Sequence, residues 1–292
     1  TKTINTGANT AVTLSNNSGA TINFTGGGLA ITTTSGTGFD ATGGATAVTV
    51  QGTGNTISST TGTALNVNAT TIGASGLTFQ SISANGAANG IILNNTGNSA
   101  GLTVTGTGSA GSGGTIQNCT GAGVSLATTS NVSLSRMNIQ GGGDDGINGS
   151  SVTGFSLSDC TVTNNGNSTT DEGIELNNLL GTCSMSNCTV TNNAHNNFKL
   201  LNNSGTLASL TVSGSTFEGH NNASAFSNNG FLFETASTAV VTSVLVNNNS
   251  IFRNNFALGM QILAQDNSTI SSFIVNGCTF TDTGTGNSQE IA

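Results

Sequence analysis

The chain is 292 residues long, with 42 glycines, no proline, tryptophan or tyrosine, and only 5% charged side chains at a formal net charge of −8. With 34% apolar residues and so little charge it is not a disordered chain; without proline or a three-residue glycine period it is not a collagen. Its four cations, Lys2, Arg136, Lys199 and Arg253, are too few and too scattered to displace phosphate counterions or to seat it on an anionic membrane, and no apolar run approaches the ~20 residues of a spanning helix.

Thr1 opens directly into strand-like sequence without a visible signal peptide, as a processed chain or an excised segment would. From Ala11 to Thr34 apolar and polar residues alternate, the mark of strands with one buried face. A weak repeat emerges through Ile57, Ile82 and Ile116, and then becomes plain in Val132-Ser-Leu-Ser-Arg-Met-Asn-Ile139. Phe155-Ser-Leu-Ser-Asp-Cys-Thr-Val162 has the same shape, as does Cys183-Ser-Met-Ser-Asn-Cys-Thr-Val190. Leu210-Thr-Val-Ser-Gly-Ser-Thr-Phe217, Val244-Leu-Val-Asn-Asn-Asn-Ser-Ile251 and Phe273-Ile-Val-Asn-Gly-Cys-Thr-Phe280 continue it. Each block reads apolar, polar, apolar, a two-residue corner, then inward, outward, inward. Short second strands follow, as in Gly173-Ile-Glu-Leu176, Phe198-Lys-Leu200 and Gly230-Phe-Leu-Phe233.

Asn- and Gly-rich corners separate these strands, where left-handed backbone costs little. No stretch carries the i, i+3, i+4 pattern of a helix. Two or three strands per period of roughly 25 residues, with nothing helical between them, predict a coil of stacked parallel strands. The expected fold is all-β: one right-handed, single-stranded parallel β-helix over residues 1–292. About eleven coils at ~4.8 Å each would make a rod about 50 Å long. Thinner Ala/Thr/Gly-rich coils are expected over 1–75, regular coils over 76–285 and a tail over 286–292. The missing proline fits, since nearly every N–H along the axis must donate to the next coil. Neither end shows a capping helix or charged loop, which predicts either continuation in a longer chain or end-to-end association into fibres.

The segments Thr-Gly-Thr-Ala64-Leu-Asn-Val67 to Ser83 and Thr161-Val-Thr-Asn-Asn-Gly-Asn167 to Asn178, the latter including Asp171-Glu-Gly-Ile-Glu-Leu-Asn-Asn178, resemble parallel β-helix repeats of large bacterial secreted or cell-surface proteins. The resemblance spans about residues 45–285. Pectate lyases, polygalacturonases, phage tailspikes and autotransporter passengers share that fold class, so it implies a fold and an extracellular or cell-surface location, not a job.

Aligning the blocks puts Met137, Cys160, Cys188, Ser215, Asn249 and Cys278 at one inward position on successive coils. Cys160 and Cys188 then stack one strand spacing apart, as buried free thiols or, at the edge of the geometry, a disulfide. Cys183 takes an inward site held elsewhere by Phe or Leu, and Cys119 lies in a turn, the one place for a reactive thiol. The same alignment pairs Arg136 with Asp159, Glu175 with Lys199, and Arg253 with Asp282, which reads as surface dressing that adds little stability.

Two acidic pairs, Asp144-Asp145 and Asp171-Glu172, precede second strands on adjacent coils, so four carboxylates gather along one edge. They are read as a solvated edge, as ligands for Ca2+, or as acids for glycoside hydrolysis. Polygalacturonase-like proteins carry an Asp-Asp pair on such a helix, but Gly-His-Gly and Arg-Ile-Lys partners are missing here, and no basic cluster can hold a uronate. No Gly-x-Ser-x-Gly elbow or phosphate-binding loop is present, and His195 and His220 do not share a ladder position. A structural or adhesive role needs nothing further, without enzyme activity or an obligatory cofactor. The alternatives are a carbohydrate-active enzyme using the acidic edge and an ice- or glycan-binding surface on threonine columns such as Thr161/Thr163 and Thr189/Thr191.

Overall fold

A computed structural model describes residues 1–220 and 228–281, without the side chains of Ala45, Thr46 and His220. Every strand pairing in it is parallel, and among the described residues there is no helix, hence none that could cross a membrane. The strands wind into a β-solenoid of about ten turns, close to the eleven expected.

One turn shows how the coil is built. Met137–Gln140 lies on a first face, Ile147–Thr153 on a second and Ser156–Ser158 on a third; Thr161–Thr163 then starts the next turn beside the first. Among the described residues, the first face is an eleven-stranded sheet running from Lys2–Gly7 to Thr279–Thr281. The second and third faces join into one larger sheet, because Phe39–Val50, Leu65–Phe79 and Ile174–Ser186 run on through the bend between them. Thr33 bonds Ser59 26 residues on, Ser135 bonds Ser158 23 residues on and Thr163 bonds Thr191 28 residues on, so coil length varies along the rod.

Corners are set by backbone sign. Among the described residues, eighteen non-glycine residues have positive φ, and eleven of them are asparagine. At the turn from the third face to the first, Arg136, Asp159, Asn187 and Gly214 are left-handed on successive coils; Asn118, Gly141, Asn164, Asn192 and Gly219 do the same at the next corner. Only glycine and asparagine visit this region cheaply, which is why these two residues punctuate the chain.

Alternate side chains point inward and fill the bore. Phe39, Phe79, Phe198, Phe217, Phe231, Phe233 and Phe252 are fully buried. Phe217, Phe252 and Phe280 stack face to face with centroids 5.0 and 4.7 Å apart, and Phe198 stacks on Phe231 at 4.5 Å.

Two alignments change. Ile116 stands on Ala84, not on Ile82, so the register moves by two residues where Thr105–Gly113 loops out. Gly114 takes the place over Ile82, and a Cβ there would come within 2.2 Å of the Ile82 carbonyl oxygen. Ser213 pairs with Asn247 and Thr216 with Ile251, so that corner holds one extra residue. The inward residues are therefore Ser250 and Phe252, not Asn249 and Ile251; Asn248 and Asn249 are both left-handed.

Candidate functional site

Five of the twelve carboxylates, Asp144, Asp145, Asp171, Glu172 and Glu175, lie within 144–175, and the structure brings His195 and Lys199 to them. Among the described residues this is the largest gathering of charged side chains. It sits at the corner between the first and second faces.

The edge is not solvated. Asp145 is 3% exposed, Asp171 8% and Glu172 0%, while Asp144 is half-buried. A buried carboxylate is tolerated only when hydrogen-bonded or paired, and each of these has its own set of donors. Asp171 closes its loop: its oxygens accept the N–H groups of Asn167 and Ser168, each at 2.9 Å, and the hydroxyls of Ser168 and Thr170. Burial would raise its pKa, but these bonds outweigh it and hold the carboxyl below the ordinary range. Asp144 Oδ1 accepts the N–H of Asp145 at 2.9 Å.

Asp145 and Glu172 instead belong to a column that rises through four coils. Asp145 Oδ1 accepts the Glu172 N–H at 2.5 Å; Glu172 Oε2 accepts the Asn196 N–H at 2.6 Å. Asn196 Oδ1 accepts the Asn229 N–H at 2.9 Å, and Asn229 Oδ1 accepts that of Leu258 at 3.2 Å. At each step a side-chain oxygen satisfies an N–H that has left the sheet to round the corner.

Glu172 is also met by two nitrogen-bearing side chains. His195 Nδ1 lies 3.0 Å from Oε1 and Lys199 Nζ 3.4 Å; Lys199 reaches Glu175 at 2.9 Å. Burial pulls the Lys199 ammonium down, but bonding to Glu175 and the charges of both glutamates more than offset it, so it stays above its usual pKa. Asp145 has no cation. Burial pushes its carboxyl up to about 7 against the bonds from Asn148 and the Glu172 N–H, and the charges of Glu175 and Asp144 add to the rise. Among the described residues, no group of three or more His, Cys, Asp or Glu side chains is placed to hold a metal ion.

The predicted thiol ladder is present as a hydrogen-bond ladder. Met137 N–H donates to Cys160 Sγ at 3.4 Å, Cys160 N–H to Cys188 Sγ, Cys188 N–H to Ser215 Oγ at 3.1 Å and Ser215 N–H to Ser250 Oγ at 3.3 Å. All five cysteines are free thiols, and Cys278 is half-buried at the same ladder position. The Cys160 contact and burial raise the Cys188 thiol. Cys119 lies outside the strands as expected, yet is 2% exposed, and burial pushes its thiol up, away from the reactive thiolate.

Of the predicted ion pairs, Arg136–Asp159 forms at 3.2 Å, and Glu175–Lys199 is half-buried, not surface dressing. Arg253 faces Thr281 in the sheet and bonds Glu218 at 2.8 Å; the expected partner Asp282 lies outside the described residues, as does the tail 286–292. Aligning the two acidic pairs alone does not bring in His195, Asn148, Asn196 and Asn229, which the structure adds to the cluster. On the first face, Thr161 and Thr163 align with Thr189 and Thr191, facing outward.

Compared with protein-family models, curated proteins and solved structures, the chain finds no match.

Proposed function

We propose that the chain is a structural or adhesive shaft of an extracellular or cell-surface protein, one that spaces or presents other groups and carries out no chemistry of its own. The observation supporting this is how the acidic cluster is used. Its best placed carboxylates for acid–base work are sequestered from solvent, and their oxygens accept backbone N–H groups of the next coil. A hydrolase needs two carboxyls that a substrate can touch. Here Asp145 and Glu172 hold turns together, while the open ladder chemistry of a coil suits a rod that lengthens by adding coils, within one chain or between copies.

Incubation with a panel of neutral and acidic polysaccharides tests the reading. The purified chain should release no oligosaccharide. Release that is abolished by Glu175→Gln, at a half-buried acid of the cluster, would put the enzyme reading in its place.

The in-register threonines of the first face favour a second reading, a binding surface for ice or a neutral glycan. Thr161, Thr163, Thr189 and Thr191 form a small array with stiff side chains, although the next coil breaks it with Glu218. Replacing Thr161 and Thr189 by lysine should abolish retention on such a surface without altering the melting temperature much; unchanged retention removes this reading.

A further inference from the structure

We propose that Asp145 is the trigger of a pH-sensitive clasp between the coil of Ile147–Thr153 and the coil of Ile174–Ser186, tight in acid and looser in alkali. The geometry sets one carboxyl in an unusual place. Asp145 is 3% exposed, and its two oxygens are held from opposite sides, Oδ1 by the Glu172 N–H of the next coil and Oδ2 by Asn148 Nδ2 at 2.6 Å. Asn148 also donates to Glu175 Oε2 at 3.2 Å, so one amide bridges two carboxylates that otherwise repel.

The charged and titratable groups around it are nearly all acids. Asp144 precedes it in its own loop, Glu175 faces it from the next coil, and Glu172 sits directly above it in the column. Cys119, on the preceding coil, is a buried thiol held protonated, and its carbonyl takes the Gly143 N–H. The nearby cation is engaged elsewhere, since Lys199 lies between Glu172 and Glu175, and the His195 ring is taken by Glu172. A charge on Asp145 is thus buried, repelled and unpaired. A proton on Oδ2 relieves all three burdens while Oδ1 goes on accepting the Glu172 N–H. Turned over, the Asn148 amide can offer its oxygen to that proton, giving up its longer bond to Glu175.

The folded chain holds the Asp145 proton up to about pH 7, whereas the unfolded chain releases it near the ordinary value of 3.8. Between those two values folding binds one extra proton, so stability falls as pH rises and levels off above the folded pKa. Each unit of pH in that window lowers the folding equilibrium constant by up to about tenfold.

Thermal melts from about pH 5 to about pH 8.5, in the presence of a chelator, read the clasp. The wild type should melt at progressively lower temperature up to about pH 7 and then level. Asp145→Asn, which places at this position the residue the column uses at Asn196 and Asn229, should flatten the profile. His195→Gln should keep the wild-type slope. A flat wild-type profile overturns the proposal, as does a slope that survives in Asp145→Asn or vanishes in His195→Gln. Infrared spectroscopy of the unaltered chain covers a variant that fails to fold: a protonated buried carboxyl should be seen at about pH 5.5 and lost by about pH 8.5, and its absence at the lower pH is equally fatal.

Discussion

Asp145, Glu172, Asn196 and Asn229 stand one above another, yet only two of them are acids. That mixture is the signal a sequence reader can use. Asp145-Gly-Ile, Glu172-Gly-Ile and Asn229-Gly-Phe keep one frame, so an acid shares a site with an amide whose task is to accept a hydrogen bond. Charge alone suggests an exposed edge, because lone acids are seldom buried; position within the coil decides otherwise. Backbone sign also acts residue by residue. Thr128 is left-handed at φ 48, in a column where Asn95 and Asn178 adopt the same conformation. A β-branched residue is strained there, so Thr128→Asn should stabilise the chain by about 1 kcal/mol, read as a rise in melting temperature. Gly114→Ala should do the reverse. With φ +103 and the Ile82 carbonyl 2.2 Å from the new Cβ, it should cost about 3 kcal/mol.

At the scale of strands and corners, the repeat was legible wherever apolar and polar residues alternate. What alternation cannot reveal is a slip of two. Moving Ile116 from Ile82 to Ala84 keeps every inward residue inward, so the pattern reads the same in either register. The extra residue before Ser250 was hidden for the opposite reason: a corner has no alternation to break, and left-handed Asn248 and Asn249 simply absorb it. Corners and strands should therefore respond differently to insertion. An asparagine added between Asn187 and Cys188 should cost about 1 kcal/mol or less, as surface changes commonly do. The same residue between Thr189 and Val190 would turn Val190 out of the bore, costing at least about 2 kcal/mol more. Denaturant titration of the two variants distinguishes these outcomes.

At the scale of the whole molecule, strands pair between neighbouring coils, and among the described residues Lys2–Gly7 and Thr279–Thr281 stand at opposite ends of the first face. Stability in such an array is a sum of local terms, not a property of one core. Phe231 packs on Phe198 at 4.5 Å and on Phe217 at 5.6 Å, so Phe231→Ala should cost about 3–5 kcal/mol at its own level. Amide hydrogen exchange should then quicken in Phe198–Asn202 and Met260–Ala264 while Leu65–Phe79 stays as protected as before. Uniform loss of protection would mean a single cooperative unit. The overall architecture was readable from the repeat because each coil obeys the same demands as the last. The chemistry of the acidic corner was not, since it depends on which coil each acid stands over.

Because the inter-coil bonds lie along the rod, a pull on its two ends loads them one layer at a time. The molecule should behave as a ratcheted tether, giving way in discrete steps and not all at once. A layer of 26 residues, once freed, supplies roughly 80 Å of slack at the reach of an extended chain.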